Sequence, residues 1–348
     1  MNVLLLGGTR FFGKRIVERL LDAGHHVTLY TRGNSRPSFW DRVDHILGDR
    51  TDHADFRAKL DGRSFEIVVD NFGYAADDVS AALESPAIRE CNHYIFTSSS
   101  VIYLSGSLTM PLNEEDVDFA LNELDPGSSG FRGGLREVAH TMGTYMLEKL
   151  KAEKLIFEQQ DLPFTIFRPP VVIGPGDHHQ RGYFYIERIQ DGGPLLLTNG
   201  GEQLVQNVYS DDLARAYMLA IEGEPRRHAY NVGGQLAPLR RWLELAAQGL
   251  SRSVDFLAVG GDTLAERLPD YHEPWEFHYN LFLDTCRAER ELGFHPTPLG
   301  KWWPQIARWY AEQTDLHPSA GYDRRQEELD FARSWRAMIN STGHEITR

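Results

Sequence analysis

Cysteine is nearly absent: Cys91 and Cys286 are the only two in 348 residues. Two are too few for a disulfide framework or a cysteine-built metal centre, and they suit a reducing cytoplasm, the compartment expected here. Long apolar runs are missing too. Nothing approaches the roughly 18 unbroken apolar residues that mark a spanning helix, so no membrane partner is expected. The N-terminus enters a strand pattern by Val3, without a charged lead or a leader-like apolar stretch, so no signal peptide is expected. Positive charge is also short. Against 50 Asp and Glu stand 36 Lys and Arg, a net charge of −14, which disfavours a phosphate-tracking surface and nucleic acid as a partner. No metal site is expected, because the adjacent His178 and His179 point apart and no third ligand keeps metal spacing nearby. What remains is an ordinary globular composition, 41% apolar and 25% charged, long enough for a large core.

The first half alternates short apolar runs with helical periodicity, the signature of a parallel sheet covered by helices. Val3 to Leu6 is a strand; Ile16, Val17, Leu20 and Leu21 then recur at helical spacing, and Ala23-Gly24 closes that helix. Further strands are expected in "HHVTLYTRG", "DHILGD", "FEIVVDNF", "HYIFTSSS" and, after a helix from about Arg136 to Gln160, "FTIFRPPVV". The expected fold is α/β, a doubly wound parallel Rossmann-type sheet with a smaller C-terminal substrate-binding lobe. Residues 1–170 form the dinucleotide-binding domain, with a Gly-, Ser- and acid-rich insertion at 104–136. Residues 171–315 are mainly the substrate lobe, with segments around 203–232 returning to the first part, and 316–348 are a charged helical tail. "PLLLTNGGEQLVQNVY" reads as a hairpin about Asn199-Gly200. "SDDLARAYMLAI" reads as a helix capped by Ser210 or Asp211.

The first strand runs into "GGTRFFG". Gly7, Gly8 and Gly13 allow tight backbone turns and close approach of a pyrophosphate, whose charge the helix N-terminus meets. Thr9, Arg10, Phe11 and Phe12 complete this turn, and Asn71 and Phe72 leave the fourth strand towards the same crevice. An NAD site calls for an acid at the end of the second strand, to hold a ribose hydroxyl. Here that strand ends in Thr31, Arg32, Gly33, Asn34, Ser35 and Arg36, with no acid. A guanidinium holds a 2′-phosphate through paired charge-assisted hydrogen bonds, so Arg10 and Arg32 favour NADP, with NAD possible. Asp49 and Arg50, closing the third strand, are expected beside the adenine.

Tyr145 and Lys149 stand four apart in a helical segment and so share one face. A phenol titrates near pH 10, but a neighbouring ammonium favours the phenolate and makes it a usable acid-base group. A hydroxyl from the Ser-rich end of the fifth strand, Ser99, can grip the same substrate oxygen. A carbonyl so held accepts hydride from a nicotinamide.

With "SSSVIY", "YMLEKLKAEKLIFE", "FRPPVVIGPGD", "NVYSDDLARA", "AYNVGG" and "RELGFHPTPLG" following "GGTRFFG" in order, the chain resembles an extended, atypical short-chain dehydrogenase/reductase of the NAD-dependent epimerase/dehydratase family. The resemblance covers residues 1–315. It implies Ser99, Tyr145 and Lys149 as catalytic residues, Lys149 also holding the nicotinamide ribose, and Pro169, Pro170 and Val171 against the nicotinamide. Ser100, Arg181 and Arg188 are implied as substrate contacts, the arginines towards a diphosphate, and a homodimer is the implied assembly. Dehydratases of this kind need an Asp-Glu pair beside the catalytic hydroxyl, and related decarboxylases an acid; Ser100 and Val101 stand there instead. The expected activity is therefore that of an oxidoreductase or epimerase acting on a secondary alcohol or ketone of a nucleotide-activated sugar. The alternatives are a ketoreductase of a non-sugar metabolite, or a non-catalytic RNA-binding member, since "GGTRFFG" resembles an atypical branch that includes chloroplast stem-loop RNA-binding proteins. The tryptophans at 275, 302, 303 and 309 are expected to pack a core.

Overall fold

The computed structural model describes residues 1–105, 109–120, 135–271, 273 and 281–346; the rest of the expected insertion, with Trp275, lies outside them. The chain forms two compact units. The first comprises Met1–Gly176, Gln206–Gly234 and Leu281–Pro296; the second comprises Asp177–Val205, Gln235–Asn280 and Thr297–Arg348.

The first unit is built on seven parallel strands. They are β1 (Asn2–Leu6), β2 (His26–Thr31), β3 (Asp44–Leu47), β4 (Ile67–Asp70), β5 (His93–Thr97), β6 (Phe164–Arg168) and a last strand, His228–Asn231. Their spatial order is His228–Asn231, β6, β5, β4, β1, β2, β3, so the winding reverses between β1 and β4. Ligands of such sheets sit beyond the carboxyl ends of the strands at that reversal. Register serves the same place. Leu6 pairs with both Tyr30 and Asp70, so Gly7, Thr31 and Asn71 leave the sheet at one level.

A sheet covered on both faces needs continuous apolar strands, and its side chains alternate between two cores. Val3 and Leu5 join Ile16, Val17 and Leu20 of the Phe11–Asp22 helix and Leu213 and Tyr217 of the Ser210–Glu222 helix. Leu4 and Leu6 face the other way, towards Phe56, Val79, Ala152 and Ile156. Each such side chain contributes on the order of 1.5–3 kcal/mol by leaving water. The long helix runs Leu135–Phe157, starting one residue before and ending three before the expected bounds.

The second unit differs from expectation in two places. Residues 195–209 form no hairpin. Leu195–Thr198 pairs in parallel with Phe256–Val259, and Leu204–Val205 pairs antiparallel with Ala237–Pro238, while a short 3-10 turn occupies Asn199–Gly201. Asn199-Gly200 supplies left-handed backbone (φ 49° and 66°) without returning the chain on itself, and the strands on either side pair with distant partners. The C-terminal segment is more than a charged tail. Its Arg325–Ile346 helix buries Phe331 and Ala332 against Leu196, Leu257 and Val259. Trp302 and Trp303 do pack a core, with Trp303 Nε1 donating to the Trp242 carbonyl at 2.7 Å. In the first unit, the Ser210–Glu222 helix starts without a side-chain cap, its boundary residue being Tyr209. Among the described residues no helix is long and apolar enough to cross a membrane.

Candidate active site

The glycine turn is tight for steric reasons. Gly7 and Gly8 take φ of 100° and 92°, which a side chain rarely tolerates. A Cβ on Gly8 would stand 2.2 Å from Leu5 Cδ2, and one on Gly13 would stand 2.7 Å from Asn71 Nδ2 and 3.0 Å from Gly8 Cα. The Phe11–Asp22 helix therefore begins hard against the ends of β1 and β4, with Arg10 exposed at its N-terminal boundary and no acid in its first turn. A helix start of this kind carries partial positive charge and unsatisfied N–H groups, the environment a pyrophosphate takes. At the end of β2, Arg32 and Asn34 are exposed, and Thr31 Oγ accepts from Gly33 N at 3.3 Å. Asp49 stands exposed at the same rim. Hydrogen bonds from the Thr51 backbone and hydroxyl, and then the Arg32 charge, hold its carboxyl below the usual range. These residues fit a nicotinamide dinucleotide: a turn with no room for a Cβ at Gly8 or Gly13, a helix start, and the exposed guanidinium groups of Arg10 and Arg32.

Lys149 is 3% exposed, and its ammonium donates to the carbonyls of Gly73 and Thr97, each at 2.7 Å. Three rings surround it, their centroids 4.7 Å (Phe96), 5.4 Å (Tyr74) and 5.8 Å (Tyr145) from Nζ. Burial pulls its pKa down to about 7; Asp70 works against that shift and Arg50 adds to it. Tyr145 is half-buried one turn earlier, its ring 6.1 Å from that of Tyr74. Ser99 follows β5, half-buried, with its hydroxyl accepting from Val101 N at 3.3 Å. Ser100 is buried, and its N–H donates to the Pro169 carbonyl at 3.0 Å, which ties the exit of β5 to that of β6. Pro170 and Val171 continue from there, both half-buried. The fold thus gathers the exits of β1, β4, β5 and β6 and the Tyr145–Lys149 face of one helix in the first unit.

Two expected ligand contacts do not stand where the sequence pointed. Arg50 is buried, its guanidinium forked onto Asp70 at 2.6 and 2.9 Å and donating to the Asp78 carbonyl at 3.0 Å, so no face is left for adenine. Arg188 is fully buried in the second unit, ion-paired to Glu328 at 2.5 Å and donating to Ser319 Oγ, and it offers nothing to a diphosphate. Arg181 is partly exposed and pairs with Asp177 at 3.4 Å. Conversely, sequence reasoning passed over Asp70, Gly73 and Tyr74. Their signal was present: an aspartate closing the apolar run "IVVD" requires a buried partner.

Strand order and glycine turn together define a Rossmann-type α/β protein. The sequence profile of the NAD-dependent epimerase/dehydratase family matches residues 3–233, and the chain belongs to that family. A chloroplast stem-loop binding protein of 41 kDa (b form) from Arabidopsis thaliana is 29% identical over 248 residues, which is 67% of this chain and 59% of that protein. The chain thus spans less than two thirds of that relative's length. Among solved structures, dTDP-glucose 4,6-dehydratase from Bacillus anthracis, in complex with NAD, superposes with a TM-score of 0.66. It is 16% identical, with 91% of this chain and 98% of that one covered. UDP-glucose 4-epimerase from Thermotoga maritima, with UDP-glucose, gives 0.65 at 16% identity, covering 90% and 99%. At such identities the likeness is one of fold.

Proposed function

We propose that the protein is an NAD(P)-dependent oxidoreductase or epimerase acting on a secondary alcohol or ketone, with a nucleotide-activated sugar as the substrate class. The observation that carries this reading is the Lys149 ammonium, buried beside the Tyr145 ring and pinned by two carbonyls. Burying a lysine costs free energy that packing alone would not justify, and perturbed lysines of this kind cluster at functional sites. Residues Gly7–Gly13 would hold the dinucleotide, which would supply or receive the hydride. Tyr145 exchanges a proton with the substrate oxygen. Ser99 donates a hydrogen bond to that oxygen, and Lys149 biases the Tyr145 proton and restores it. Dehydration is disfavoured, because Ser100 and Val101, both buried, stand where the acid and base would be. Arg10 and Arg32 support NADP over NAD as the cofactor.

The test is Tyr145→Phe. Purified protein is screened against nucleotide sugars with NADPH or NADH, and the variant is compared on the substrate found. Turnover is expected to fall by about 10²-fold or more, with dinucleotide affinity little changed. Undiminished turnover in Tyr145→Phe refutes the assignment.

A second reading follows from the Arabidopsis relative, whose name is that of a stem-loop binding protein. The net charge of −14 weighs against it, because RNA affinity rests on phosphate neutralisation. Binding of a stem-loop RNA that weakens steeply with salt would favour this reading; no binding at low salt removes it.

A further inference from the structure

We propose that Asp70 and Arg50 act as a positioning pair for Lys149, deciding where its ammonium sits and leaving it free to gain and lose a proton. This role depends on the Tyr145–Lys149 reading above. Asp70 is fully buried at the end of β4, and its carboxylate is saturated. It accepts both arms of Arg50, the Tyr94 hydroxyl at 2.8 Å and the Phe72 N–H at 3.2 Å. The last of these orders the turn leaving β4. One residue on, the Gly73 carbonyl meets Lys149 Nζ. That turn has no room to relax, since a Cβ on Gly73 would stand 2.7 Å from Phe96 and 2.8 Å from Val79. Arg50 is fixed at its far side by the Asp78 carbonyl, and the Asp78 carboxylate is taken by His53 Nε2 at 3.0 Å.

The charge balance gives the pair its function. Among the described residues, five charged or titratable groups face Lys149: Asp70, Arg50, Glu153 on its own helix, and the phenols of Tyr74 and Tyr145. Glu153 is already engaged by Arg168 through a forked contact at 2.6–3.2 Å. Asp70 alone would lock Lys149 as a permanent cation. Arg50 alone would expel the proton. Together they pull on the Lys149 proton in opposite directions, Asp70 holding it more strongly than Arg50 repels it, while the Phe72 N–H and the Gly73 carbonyl fix where the ammonium stands. A pair that served packing only would not need to answer to Lys149 at all.

The experiment follows the ionisation of Lys149 directly and needs no substrate. The chain has six lysines, so full-length protein labelled with ¹³C at lysine Cε gives few signals, and Lys149→Arg identifies the one sought. Asp70→Asn is expected to lower the midpoint of the Lys149 titration by about one pH unit or more, and Arg50→Gln to raise it by a similar amount. Arg50→Lys, which keeps the charge, is expected to bring the midpoint back towards wild type. Either single variant decides alone if the other does not fold. A midpoint that stays put, or that moves the same way in both, overturns the pairing. Opposite shifts in a protein whose turnover survives Tyr145→Phe would uphold the pair and sink the catalytic reading, so the two failures are distinguishable.

Discussion

Replacing Lys149 by Met should flatten the pH dependence of stability. Burial depresses the folded-state pKa of Lys149 to about 7 from 10.5. A base depressed on folding costs the folded state most below its folded pKa, where the buried group must carry charge. The cost vanishes above the unfolded pKa, where both states are neutral. Between the two values the unfolded chain holds a proton that the folded chain lacks, so stability rises with pH. The slope approaches about 1.4 kcal/mol per pH unit, and between about pH 7.5 and about pH 9 it amounts to about 2 kcal/mol. Lys149→Met also orphans the Gly73 and Thr97 carbonyls, but that loss is the same at every pH and drops out of the comparison. Urea denaturation of both proteins at several pH values measures the difference. Wild type should gain about 2 kcal/mol on the variant across this window. Parallel curves, within about 0.5 kcal/mol, would show that Lys149 stays charged in the folded protein and would refute the account of its burial.

Three further outcomes are expected. Arg10→Ala combined with Arg32→Ala should weaken NADP about tenfold or more beyond any loss for NAD, by fluorescence titration, given the strength of charge-assisted phosphate contacts; equal losses would return both arginines to solvated roles. Gly13→Ala forces a methyl to within 2.7 Å of Asn71 Nδ2 and 3.0 Å of Gly8 Cα. A strain of about 1–3 kcal/mol should appear as a lower thermal midpoint and weaker dinucleotide binding, and an unchanged Kd would show that the turn yields. Glu328→Gln strips the shared partner from the buried Arg188 and Arg325, at 2.5 and 2.6 Å, and should cost about 3 kcal/mol or more in chemical denaturation. The KM for the nucleotide-sugar substrate should stay as it was. A large rise in that KM would put Arg188 back among the substrate contacts.

The chain's own pattern carried the layout of the first unit. Apolar runs such as "VLLL" and "IVVD" make covered parallel strands because both their faces need burial, and each is short enough to read without a partner in view. The glycine turn was equally local, since positive φ at Gly7 and Gly8 is a demand of the backbone itself. Tyr145 and Lys149 were legible as a pair because helical spacing alone puts residues four apart on one face. What tertiary structure decided was which charges meet. Arg50 and Arg188 looked like ligand contacts because an arginine in a sequence carries no sign of burial. Only the fold brings Asp70 across twenty positions to the first and Glu328 across 140 to the second. The same holds for residues 195–209, whose local turn signal lost to strand partners about sixty and thirty positions away. Local geometry is set by neighbours a few bonds apart. The fate of a buried charge is set by whichever distant group the closed chain places beside it, because in a dry interior no charge persists without one.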